Sequence, residues 1–191
     1  MDIRVNEWAK LKFVDPAIAL PQLREIQKLA ARSNLPERIK NLRTSKFKQH
    51  RQAWEATLFC YGMSKLLGLT VYVSPHEASD YDAVSMWIDG DTQQFAPIQI
   101  KELVPRILNP NTSINKEISK LCRYPCSNDT IVVMHVNRPG RLELADLSIP
   151  QLNISQLWLL GTVTPDQCRW FIGGNLLANP KIFEFDIPTK Y

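Results

Sequence analysis

Pro97-Ile98-Gln99-Ile100-Lys101-Glu102 is the stretch on which the reading of this chain turns. Ile98 and Ile100 alternate with Gln99 and Lys101, the period of a strand, so an amide and an ammonium leave one face two positions apart. Upstream, Asp80-Tyr81-Asp82 opens another strand-like run, and Asp89-Gly90-Asp91 between the two is a turn signal. The spacing predicts a β-hairpin over about residues 80–88 and 92–101. With the turn centred near Gly90 and Asp91, Asp82 falls opposite Gln99 and Asp80 opposite Lys101. Opposed residues share a face, so the hairpin gathers two carboxylates, an amide oxygen and an ammonium at one end of two strands. A slip of one residue would move one strand's set to the other face.

Carboxylate, amide carbonyl and water are hard oxygen donors, which suits Mg²⁺ or Mn²⁺. A lysine beside such an ion can orient or activate a water, or stabilise negative charge at phosphorus. Those are the parts that metal-assisted phosphodiester hydrolysis needs.

Asp82 together with Gln99-Ile100-Lys101 resembles the signature of the PD-(D/E)XK nuclease superfamily, the restriction-endonuclease-like fold, in its Gln-x-Lys variant. The likeness covers roughly residues 46–136, in the order helix, strand, strand, strand, helix, strand. It departs from the family pattern in two places. No proline immediately precedes Asp82, and Gln99 stands where glutamate is commoner, removing one negative charge from the metal site. The resemblance implies that Asp82 and Gln99 bind the metal, that the backbone carbonyl of Ile100 completes the shell, and that Lys101 positions the water. It also implies a glutamate on the first core helix, for which Glu55 is the candidate, with Glu55 and Asp80 as secondary acids. The expected partner is DNA, and homodimers or larger complexes are the expected assemblies. A catalytically inactive, nucleic-acid-binding or regulatory subunit is the alternative function.

The 191 residues suffice for one domain with a sizeable extension. A hydrophobic fraction of 45% and a charged fraction of 22% are ordinary for a globular protein. No apolar run approaches the ~20 residues needed to cross a bilayer. Met1-Asp2-Ile3-Arg4-Val5-Asn6-Glu7 lacks the apolar core of a signal peptide, so no membrane partner and a cytoplasmic location are expected. Cys60, Cys122, Cys126 and Cys168 form no Cys-x-x-Cys pair, which argues against structural zinc and for free thiols. His50, His76 and His135 are scattered, and each reads as a core or surface residue.

The net charge of +4 is modest, but its distribution is uneven. Arg24, Lys28, Arg32, Arg38, Lys40, Arg43, Lys46, Lys48 and Arg51 face only Glu25 and Glu37 over the same stretch. Phosphate-backbone binding needs such a run, and Arg38, Lys40, Arg43, Lys46, Lys48 and Arg51 are its candidates. A solvated helix face is the plainer reading.

Along the chain, helices are expected over 16–31, near 35–42 with Pro36 in the first turn, and from about 46 to 67 with Ser45 as cap and Gly68 as stop. Within the last, Glu55, Phe59, Met63 and Leu66 recur at spacings of three and four, which turns Glu55 inward. A metal site and a salt bridge are both open to it. A strand is expected at 69–73 and a helix at about 113–123. The apolar run Thr130–Val136 suits a strand covered on both faces. Strands are also expected at 156–163, 168–172 and 181–187. The predicted architecture is an α/β, restriction-endonuclease-like mixed sheet flanked by helices, with a helical N-terminal extension over 1–45. A nuclease-like domain over 46–191 ends in a β-rich part. No Walker, Rossmann or Gly-x-Ser-x-Gly motif is present.

Overall fold

The computed structural model describes residues 3–34, 36, 43–44, 47–123 and 127–188. Its seven strands form a mixed sheet in the order β1-β2-β3-β4-β5-β6-β7, accompanied by several helices. By contact density the chain divides into Met1–Pro97 with Ile187–Tyr191, and Ile98–Asp186, the boundary falling within strand β3.

The first unit opens with α1 (Ile3–Trp8) and α2 (Pro16–Arg32). Asp15 caps α2, its carboxylate accepting from the Ala17 N–H at 2.8 Å, and Pro16 occupies the first turn where no N–H is needed. Just ahead of that cap, Val14 pairs antiparallel with Val73. The long helix α3 (Lys48–Leu67) buries every residue from Trp54 to Gly62, which makes its middle a core helix rather than a surface one. Gly68 ends it in the left-handed conformation (φ +70°). The helix expected near 35–42 and the cap expected at Ser45 lie outside the described residues.

Strand β1 (Tyr72–Ser74) pairs antiparallel with β2 (Ala83–Asp89). Gly90 (φ +59°) and Asp91 form the two-residue turn into β3 (Thr92–Leu103), so the hairpin lies where the Asp-Gly signal puts it. Ser85 Oγ donates to the Ala96 carbonyl at 3.0 Å, in agreement with that turn. Strand β2 nevertheless begins at Ala83, so Asp80 and Asp82 precede it instead of lying within it. One local and one long-range contact explain the late start. The Ala78 N–H donates to the Tyr81 carbonyl at 2.9 Å, and the Tyr81 ring is buried against Trp8 and Val84.

In the second unit, β3 continues parallel to β4 (Ser127–Val136). Parallel neighbours need a crossover, and α4 (Ile114–Lys120) with the turn Leu121–Arg123 supplies it. Ser113 caps α4, accepting from the Lys116 N–H. Ile118 and Leu121 pack on Val132, Met134, Leu157 and Leu159. Strand β5 (Ile154–Thr162) runs parallel to β4, and β6 (Arg169–Gly174) and β7 (Lys181–Asp186) extend the sheet antiparallel. Among the described residues no helix is long and apolar enough to cross a membrane.

Candidate metal centre

Strand alternation sorts the polar residues of β3 into two sets. Gln99 is in register with Val132 and Lys101 with Met134, on the face that Ile118 and Leu121 cover. Glu102 is in register with His135, on the opposite face with Ile98 and Ile100. Gln99 and Lys101 are half-buried, and Ile100 between them is buried. The amide and ammonium singled out in the sequence therefore leave a different side of the strand from the carboxylate that follows them.

Glu102 and His135 are held from several directions. Asn137 Nδ2 donates to Glu102 Oε1 at 2.8 Å, and the Trp170 ring lies 5.7 Å from the His135 ring. His135 is 8% exposed, and Glu55 on α3 is 5% exposed. Burying such groups is costly unless they are hydrogen-bonded, paired or ligated. Within the second unit, Glu102 and His135 each offer one potential ligand atom, and the two lie within 4.8 Å of each other. A carboxylate oxygen and an imidazole nitrogen are donors that first-row divalent ions accept, Mn²⁺ and Zn²⁺ among them, whereas Mg²⁺ prefers oxygen alone.

The other candidate residues have individual settings. Asp82 is buried at 7% exposure, and its carboxylate accepts a hydrogen bond from Gln52 Nε2 on α3. Asp80 pairs with Arg4 at 2.9 Å, both half exposed, and the Arg4 guanidinium also lies 5.0 Å from the Trp8 ring centre. Of the basic candidates, Arg38, Lys40 and Lys46 lie outside the described residues. Arg43 and Arg51 are half-buried. Lys48 is exposed and pairs with Glu77 at 2.6 Å, which holds its ammonium pKa above the ordinary value and the Glu77 carboxyl below its own. Cys60 and Cys122 are free thiols, as their spacing suggests, and Cys126 lies outside the described residues.

His135 and Glu102 did not stand out as ligands in the sequence. The available signal was an imidazole inside the apolar run Thr130–Val136, because a polar side chain in a doubly covered strand requires a partner. No family model, curated protein or solved structure matches the chain.

Proposed function

We propose that this chain is a divalent-metal-dependent phosphodiesterase acting on nucleic acid, with Glu102 and His135 as protein ligands of the ion. The observation that carries the reading is the approach of these two donors to within 4.8 Å, with His135 buried. The imidazole favours Mn²⁺ over Mg²⁺. A bound ion would supply Lewis-acid activation of water and stabilise charge on the phosphoryl oxygens. Asn137 would orient Glu102.

Two features support the nuclease class. Helix α3, the three strands β1–β3, helix α4 and strand β4 follow the order expected from the resemblance, with β4 parallel to β3. The basic stretch leading into α3 supplies the charge that a phosphate backbone attracts. One observation favours the second reading, a nucleic-acid-binding subunit without catalysis. Lys101 shares its face of β3 with Gln99 and Met134, away from Glu102.

The test is Mn²⁺ binding by calorimetry together with nicking of supercoiled plasmid, using wild type, Glu102→Gln, His135→Ala and Lys101→Ala. Under the hydrolase reading, wild type binds Mn²⁺ and nicks, and the Glu102 and His135 variants lose both. Binding of metal and DNA without nicking selects the second reading. An absence of metal binding in wild type overturns the metal centre.

A further inference from the structure

Strand β7 lies at one edge of the sheet, and with β5 and β6 it belongs wholly to the second unit. The hydrogen-bond phase of these strands fixes which of its backbone groups are left over. The Val163 N–H donates to the Arg169 carbonyl at 2.8 Å, so Arg169 turns its backbone toward the β5 side. Along an antiparallel strand, residues bonded to one neighbour alternate with residues that face the other. Trp170, Ile172 and Gly174 therefore face β7, in register with Phe185, Phe183 and Lys181. Ile182, Glu184 and Asp186 turn their N–H and C=O groups outward, where no backbone partner meets them among the described residues. Such a row of donors and acceptors is a template for a further strand.

The side chains decide which strand fits. Ile182, Glu184 and Asp186 share one face of β7 and are exposed, whereas Phe183 and Phe185 lie on the other face with Lys181. Arg169 holds Asp186 through two hydrogen bonds of 2.8 and 3.2 Å, and Glu184 forms no ion pair among the described residues. A second copy of β7 fits badly. In antiparallel pairing, outward residues lie opposite outward residues, so a two-fold axis at Glu184 sets that carboxylate against its own copy. An axis at Phe185 sets Glu184 opposite Asp186. Like charges directly opposite are destabilising. An axis at Phe183 sets Asp186 opposite Pro180, which has no N–H to give.

We propose that β7 accepts an extended segment of a partner protein as an eighth strand, one with lysine or arginine at every second position and apolar residues between. Its cations meet Glu184 and Asp186 on one face, and its apolar side chains continue the face of Phe183 and Phe185. The site needs no metal and does not rest on the phosphodiesterase reading.

The experiment follows the backbone amide ¹⁵N signals of the full chain in EDTA. Two capped peptides are added, Thr-Lys-Val-Lys-Val-Lys-Thr and Thr-Glu-Val-Glu-Val-Glu-Thr. The cationic peptide should shift the Ile182, Glu184 and Asp186 amides and slow their exchange. It should also bind about tenfold more tightly than the acidic peptide, a difference of about 1.4 kcal/mol. Glu184→Lys, at an exposed position, should reverse that preference. Ile182→Pro removes an outward donor and leaves the bonds to β6 in place, so it should weaken binding of the cationic peptide. Failure of the cationic peptide to move these amides overturns the proposal, as does equal binding of both peptides. Protection of the same amides that rises with protein concentration alone assigns the edge to a second copy and overturns it too.

Discussion

Glu102 on β3 and His135 on β4 are paired in register on parallel strands, so their side chains leave the same face of the sheet as neighbours. Asn137, two residues beyond His135, reaches back to Glu102. A ligand pair held by strand backbone is set more firmly than one on a loop. Glu102→Gln removes a charge and keeps the shape, and should weaken Mn²⁺ binding at least about tenfold, or about 1.4 kcal/mol. Asn137→Ala leaves both ligands in place. It should weaken binding by a smaller factor, at the lower end of the roughly 10–100-fold typical of residues that orient a ligand. Titration of Mn²⁺ by electron paramagnetic resonance measures both, and equal affinity in wild type and Glu102→Gln would remove Glu102 from the ligand set.

Trp8 Nε1 donates to Tyr81 Oη at 3.1 Å, with the rings edge to face and their centres 5.9 Å apart. Both residues are buried. Tyr81→Phe keeps the ring contact but leaves the indole N–H without its acceptor, which should cost about 1–2 kcal/mol. Chemical denaturation should show a lower midpoint with an unchanged slope, since the surface exposed on unfolding stays nearly the same.

The parts of this fold that the sequence disclosed are those written in short-range signals. Asp89-Gly90-Asp91 located the hairpin turn because a two-residue connection favours a glycine at positive φ. Gly68 marked the end of α3 for the same conformational reason, and the apolar run Thr130–Val136 announced a covered strand. Glu55 was legible as an inward residue from its spacing to Phe59 and Met63. The start of β2 was not legible, because it depends on Tyr81 docking onto Trp8, more than seventy residues away. Helix α1 was missed because six residues carry too little periodicity to register. The pairing of Glu102 with His135 depends on the register of two strands separated by a helical crossover, and no local pattern encodes that register.

Arg138 ties down the loop between β3 and α4. Its guanidinium donates to the carbonyls of Val104 (2.6 Å), Asn109 (2.6 Å) and Thr112 (2.9 Å). A planar fork reaches three carbonyls in fixed directions, and a lysine ammonium does not reproduce it. Arg138→Lys should release this loop, which presents Ile107 and Leu108 to solvent. Faster amide exchange and proteolytic nicking over 104–112, with little change elsewhere, is the expected result. Unchanged exchange there would show that the loop is held by other contacts.

Gly161 on β5 is in register with Phe171 on β6, and a Cβ at Gly161 would lie 2.5 Å from Phe171 Cε1. The ring occupies the space a side chain would need, so Gly161→Ala must displace it. Overpacking of this kind costs about 1–3 kcal/mol. Phe171→Leu should relieve part of that cost in the double variant, and a thermodynamic cycle across the two substitutions measures the coupling. Strict additivity would mean that the ring swings away freely.

His50 gives the fold a defined response to acid. Burial lowers its folded-state pKa from the ordinary 6.5, so between the two values the unfolded chain binds more protons than the folded one. Stability therefore falls as the pH drops from the ordinary imidazole value toward the folded one, and above that range the group contributes no slope. His50→Phe removes the titration. Thermal melts of the wild type should lose stability on acidification from pH 7 through the imidazole range, and the Phe variant should lose less over the same interval. Parallel melting curves for the two proteins would show that His50 takes up its proton in the folded state as easily as in the unfolded chain.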